Sequence, residues 1–110
     1  MIREISKNEF SREVIESRKL SVVQFKVDWS GACQIIAPVY KELAEHYNGQ
    51  VNFYTVDVEA EKGLVMQYGI SELPAILFFR EGEIVDFIGG LIPKKVIASK
   101  IENALSTTIK

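Results

Sequence analysis

Ser21-Val22-Val23-Gln24-Phe25-Lys26-Val27, followed by Asp28-Trp29-Ser30-Gly31-Ala32-Cys33, is the stretch from which the fold can be read. The first seven residues are mostly β-branched, aliphatic or aromatic, with Gln24 as a polar interruption. They read as a strand buried on both faces rather than one with a wet side. After Cys33 the pattern changes. Ile36, Val39, Tyr40, Leu43, Ala44 and Tyr47 recur at helical spacing, and Asn48-Gly49 supplies a stop, so a long helix follows the motif directly. Pro38 lies inside it, removing one backbone donor and crowding the preceding turn, which predicts a kink near Gln34.

Outward from this strand-motif-helix unit the chain continues in short periodic segments. Upstream, after a short opening segment, Phe10, Val14 and Ile15 predict a helix between Asn8 and Ser17. Downstream, Val51 to Val58 alternates apolar and polar residues as a strand does, and Leu64 to Tyr68 makes a short helix stopped by Gly69. Ala75 to Phe79 and Ile84 to Ile88 are apolar runs joined by Arg80-Glu81-Gly82-Glu83, a hairpin signal with glycine where a positive φ is wanted. Gly89-Gly90 closes the hairpin. Pro93 then opens a last helix whose Val96, Ile97, Ile101 and Leu105 would cover one face of the sheet. The order β-α-β-α-β-α-β-β-α predicts an α/β fold. Its central mixed sheet has about five strands, and its four helices are shared between the two faces.

Bulk properties bound the function. At 110 residues, 47% of them hydrophobic, the chain suits one small domain spanning 1–110 with no room for a second. Its 13 basic and 15 acidic residues are interspersed, so no basic face is expected to hold a phosphate backbone, and nucleic acid is not an expected partner. Charges throughout the first 20 residues interrupt any signal-peptide core, and no later run reaches membrane-spanning length, so a soluble cytoplasmic protein is expected. A lone cysteine cannot close an intramolecular disulfide, which fits a reducing compartment and leaves Cys33 to be explained by itself.

With these elements in place, the chain resembles the thioredoxin family from about Ile5 to about Leu105. The resemblance rests on Trp29-x-Gly31-x-Cys33 opening a proline-containing helix, Leu73-Pro74 before a hairpin and the Gly89-Gly90 pair, with Asp57, Gly69 and Gly82 in matching spacing. It implies a cis bond before Pro74 beside the motif; an ordinary trans turn proline is the alternative. It also implies a substrate groove formed by Trp29, Gly31, Ala32, Leu73, Pro74, Gly89 and Gly90, where an extended peptide could pair with the backbone of Leu73.

The same resemblance exposes what is missing. Family chemistry uses two thiols, one attacking a substrate disulfide and the second resolving the mixed disulfide. Ser30 occupies the first position, and an alcohol ionises far less readily than a thiol and forms no disulfide. Cys33 occupies the resolving position, tucked under the motif in this family and so expected to be a slow nucleophile. The family's buried carboxylate near that thiol, and a lysine close to it, are replaced by Gln24 and Phe53, so a general base for Cys33 is lacking. Structural readings stand beside these. Ser30 can simply cap the long helix. Cys33 can be a small buried hydrophobe. Trp29 is read as a contact surface rather than core, and His46, the only histidine, as a solvated helix-end residue rather than a metal ligand.

Two functions follow. One is a thioredoxin-family protein of thiol-disulfide redox homeostasis with a degenerate single-cysteine site, Ser30-Gly31-Ala32-Cys33. It could not run dithiol reduction, and its Cys33 would exchange with small thiols or be oxidised and rescued by a thiol donor. The other is a redox-inactive binding or adaptor module that uses the groove beside Pro74. Expected partners are protein or peptide thiols and disulfides, with a thioredoxin reductase or glutathione as candidates. A monomer with no cofactor and no metal is expected.

Overall fold

The computed structural model describes residues 2–106. Residues 1 and 107–110 of the domain expected from the sequence lie outside them. The elements run in order as β1 (Ile2–Glu4), α1 (Lys7–Phe10) continuing into a π-helical turn (Ser11–Ile15), β2 (Leu20–Lys26), α2 (Gly31–His46), β3 (Val51–Asp57), α3 (Lys62–Gln67), β4 (Ala75–Arg80), β5 (Glu83–Gly89) and α4 (Lys94–Ser106). The strands form one mixed sheet in the order β1-β3-β2-β4-β5. β1 and β2 run parallel to β3, whereas β4 is antiparallel to both β2 and β5. This is the α/β thioredoxin fold read from the sequence.

Adjacent residues on the central strands are buried on opposite faces, which is why these strands show no polar alternation. On one face Val22, Phe53 and Phe78 pack with Ile36 and Tyr40 of α2 and with Ile97 and Ile101 of α4. On the other, Val23, Tyr54 and Phe79 pack with Phe10, Val14 and Leu64. By the same period of two, Gln24 lies on the face of Val22, and Thr55 on the face of Phe53.

Local differences from the sequence reading have physical causes. The first helix begins at Lys7 rather than Asn8, because Ser6 and Glu9 form a capping box in which the Ser6 amide donates to Glu9 Oε1 at 2.9 Å. Its second half widens, with the Glu16 amide bonded to the Ser11 carbonyl at 2.9 Å, five residues back. α2 runs from Gly31 to His46 through Pro38, whose missing N–H leaves the Gln34 carbonyl without its helical donor. The hairpin turn has two left-handed residues, Glu81 at φ 50 and Gly82 at φ 83. β5 is an edge strand on which Ile84, Val85 and Phe87 remain exposed. Among the described residues, no helix is long and apolar enough to cross a membrane.

Candidate functional site

β2 ends at Lys26 and α2 begins at Gly31, so the motif lies in a tight strand-to-helix connection. Ser30 has the extended backbone of an N-cap (φ -78, ψ 128), and its Oγ accepts from the Cys33 amide at 3.4 Å. Ser30 therefore caps the helix whatever else it does. Gln34 Nε2 donates to the Asp28 carbonyl at 2.8 Å, tying the first turn of α2 back to the connection. Trp29 is not core: its side chain is 71% exposed, and its indole N–H donates to Glu59 Oε2 at 3.2 Å. Gly31 is exposed and Ala32 half-buried beside it.

Topology brings the second half of the motif alongside. Phe25, near the end of β2, is the register partner of Ala75, the first residue of β4, so the loop carrying Leu73 and Pro74 stands at the same end of the sheet as Trp29 to Cys33. The Leu73–Pro74 peptide bond is cis. The Pro74 carbonyl accepts from the Gly90 amide at 2.8 Å, and Ala75 pairs with Gly89, which sets the glycine pair against the proline loop. Gly90 has φ +88. A residue not anticipated from the sequence enters here: the Glu72 carboxylate lies over both glycines, so close that a Cβ on Gly89 would stand 2.9 Å from its Oε1. Its signal in the sequence was its place next to Leu73-Pro74.

Beneath the motif Cys33 is buried, at 4% exposure, and it lines a cleft of about 280 Å³ with Gln24, Lys26, Thr55 and Tyr40. Gln24 is 2% exposed, and among the described residues its Nε2 has no hydrogen-bond partner. The Tyr40 hydroxyl lies 3.0 Å from the Val22 carbonyl and 2.7 Å from that of Tyr54, fastening α2 to both β2 and β3. Burial pushes that phenol well above its ordinary range, so it stays protonated. Lys26 pairs with Asp28, and that hydrogen bond, the largest influence on it, raises the ammonium's pKa.

Phe53, expected beside Gln24, is placed elsewhere. It pairs with Val22 and with Ile2, and its ring meets that of Tyr40 edge-on at 5.4 Å inside the core. The residue opposite Gln24 is Thr55, two positions further along β3. A parallel register sets this correspondence, and spacing along one strand does not reveal it. His46 is exposed and stacks edge-on against Tyr47 at 4.7 Å. Among the described residues no three of His, Cys, Asp and Glu gather in a way that could hold a metal ion.

A β-α-β-α-β unit with a thiol in the first turn of its capped second helix, set against a cis-proline loop and a terminal β-β-α unit, defines a thiol-bearing protein of the thioredoxin type. Sequence comparison agrees. The family model described as Thioredoxin matches residues 1–103. The chain is 34% identical over 105 residues to the chloroplastic M-type thioredoxin of Spinacia oleracea, covering 96% of this chain and 58% of that protein. It is 34% identical over 96 residues to thioredoxin 1 of Synechococcus elongatus, covering 87% of this chain and 90% of the relative. Against the thioredoxin of Synechocystis the figure is 31% over 102 residues, 93% and 95% of the two chains. The chain belongs to the thioredoxin family, whose members act on protein thiols and disulfides.

Proposed function

We propose that this chain serves thiol-disulfide redox homeostasis through one thiol, Cys33, with the groove of Trp29, Gly31, Ala32, Leu73, Pro74, Gly89 and Gly90 holding the partner. The observation that carries the reading is the pairing at the start of α2, where an oxygen, Ser30 Oγ, stands 3.4 Å from the Cys33 amide in place of a second thiol. The Cys33 thiolate would attack a disulfide R–S–S–R′, forming Cys33–S–S–R and releasing R′–S⁻. An external thiolate must then release R, because Ser30 has no sulfur to resolve the mixed disulfide. Dithiol reduction in the family's usual manner is therefore closed to the chain as it stands. Its partners are protein or peptide thiols and disulfides, glutathione disulfide among the small ones, with a thioredoxin reductase or another thiol donor as the regenerating partner. It acts as a monomeric single domain in a reducing cytoplasm, in keeping with its one cysteine.

Mass measurement of the native protein after diamide and glutathione tests this. One glutathione on Cys33 is expected, and an unmodified native mass sinks the reading. In a parallel insulin-reduction assay the chain is expected to be inactive while Ser30→Cys gains turnover. Vigorous turnover by the unaltered chain would overturn the account of the motif.

A second reading, a binding or adaptor module, is favoured by the contrast between Trp29, 71% exposed, and Cys33, 4% exposed. The two separate in a pull-down. Complexes that survive Cys33→Ser but disappear with Trp29→Ala or Leu73→Asp indicate an adaptor, whereas complexes lost with Cys33→Ser indicate thiol capture.

A further inference from the structure

Cys33 and the donor-bearing side chains of Gln24, Lys26 and Thr55 line one cleft beneath the motif. Gln24 is almost wholly buried, and among the described residues its Nε2 finds no acceptor, a state that ordinarily costs about 1–3 kcal/mol. Such a group in a native fold calls for something it can bind. Lys26 also lines the cleft, its ammonium paired with Asp28 and 3.9 Å from Glu4 Oε1, and Thr55 stands opposite Gln24 in register. Cys33 belongs to the first turn of α2, a helix of 16 residues with no acidic side chain in that turn, where the helix dipole favours negative charge. Asp28, the nearest carboxylate in sequence, also lines the cleft, but its side chain is 91% exposed and engaged with Lys26. The buried donor and the helix terminus both suit an anionic oxygen carried by the Cys33 sulfur. About 280 Å³ is ample for one oxygen atom.

We propose that the cleft is a sulfenate cradle: Cys33 reacts with hydrogen peroxide, and the oxygen it gains is held by the Gln24 amide. In the reaction the thiolate attacks one peroxide oxygen, an S–O bond forms as the O–O bond breaks, and the hydroxide that leaves takes the S–O–H proton, giving water and the sulfenate. The sulfur loses two electrons and the peroxide gains them. Ordinarily a neighbouring thiol would consume the product at once. Here Ser30 removes that thiol, so the sulfenate persists until an external thiol attacks its sulfur, expels the oxygen as water and leaves a mixed disulfide. A second thiol then frees Cys33. The proposal rests on Cys33 being a reachable thiol, as thiol capture does, but it adds a different oxidant and assigns Gln24 a role.

Reduced protein is treated with hydrogen peroxide, quenched with catalase, held for a fixed delay, then exposed to dimedone and mapped by mass spectrometry. One dimedone adduct, on Cys33, is expected, and none with Cys33→Ser. Gln24→Glu, which keeps the shape but turns a donor into an acceptor, is expected to lower the surviving fraction roughly tenfold, the size of one lost hydrogen bond to a charged group. Gln24→Leu serves as a second variant, and circular dichroism establishes that each is folded. Equal survival in the folded variants overturns the role of Gln24. Absence of the adduct in a protein that glutathione disulfide still labels overturns the cradle and leaves thiol capture standing. Failure of both reagents on the native protein overturns both.

Discussion

At the start of α2 a serine oxygen caps the helix that carries the chain's one thiol. Ser30 satisfies one amide of the first turn across a long 3.4 Å contact. Ser30→Ala is therefore expected to cost about 0.5–1 kcal/mol, at the lower end for a helix cap, measured by urea unfolding. A second side chain makes stability depend on alkaline pH. Tyr47 is buried, and its hydroxyl donates to Glu102 Oε2 at 2.6 Å; burial first, and that carboxylate second, push the phenol from 10.0 up to about 12. The folded state thus holds this proton more tightly than the unfolded chain. The associated stability is complete below pH 10 and is lost as pH rises through about 12. Tyr47→Phe is expected to flatten part of that alkaline decline in denaturant titrations run across the window. Gln24 shows where sequence reading reaches its limit at this scale. Its polar character inside an apolar strand was visible at once, but its neighbour was not, because residues 53 and 55 share a face of β3 and only the register with β2 chooses Thr55 over Phe53.

Among the elements, those whose signal is local were the most legible. α2 could be read from apolar spacing and a glycine stop, and the hairpin from its turn. α1 shifted by a residue because a reciprocal cap outweighed apolar spacing. The exposure of β5 was hidden because an apolar run looks the same at a sheet's edge as at its centre; only the strand order decides which it is. The hairpin turn also makes a contact that sequence cannot show. A Cβ on Gly82 would stand 2.9 Å from the backbone oxygen of Ile15, in the π-helical turn, and the residue has φ +83. Gly49 has a similar φ of +89, but among the described residues a Cβ there would meet nothing within 4 Å. Gly82→Ala is expected to lower stability by about 2–3 kcal/mol and Gly49→Ala by about 1 kcal/mol, compared by thermal unfolding. The difference measures the docking of the turn rather than its backbone conformation.

For the molecule as a whole, the sheet divides two half-cores that share strands but not side chains. Ile97 packs with one cluster and Leu64 with the other. Ile97→Ala and Leu64→Ala are each expected to cost about 2–5 kcal/mol. In the double variant the costs should add to within about 0.5 kcal/mol, because the altered residues have no shared partners. A large departure from additivity in equilibrium unfolding would mean that the two faces communicate through the strands. The site spans both levels of organisation: helix α2 delivers the thiol, while β2 and β3 deliver the walls of the cleft, and Tyr40 fastens one to the other.

Trp29 is the sole indole in the chain, and it stands at the mouth of the motif rather than in the core. The protein therefore carries a built-in optical reporter. Its emission already comes from a wet, exposed ring, so unfolding has little colour shift left to add, and a partner that covers the motif shifts the light to the blue while the backbone spectrum stays unchanged. Fluorescence titration of the unlabelled chain consequently reads occupancy of the groove, and circular dichroism reads the integrity of the fold, through two channels that scarcely overlap.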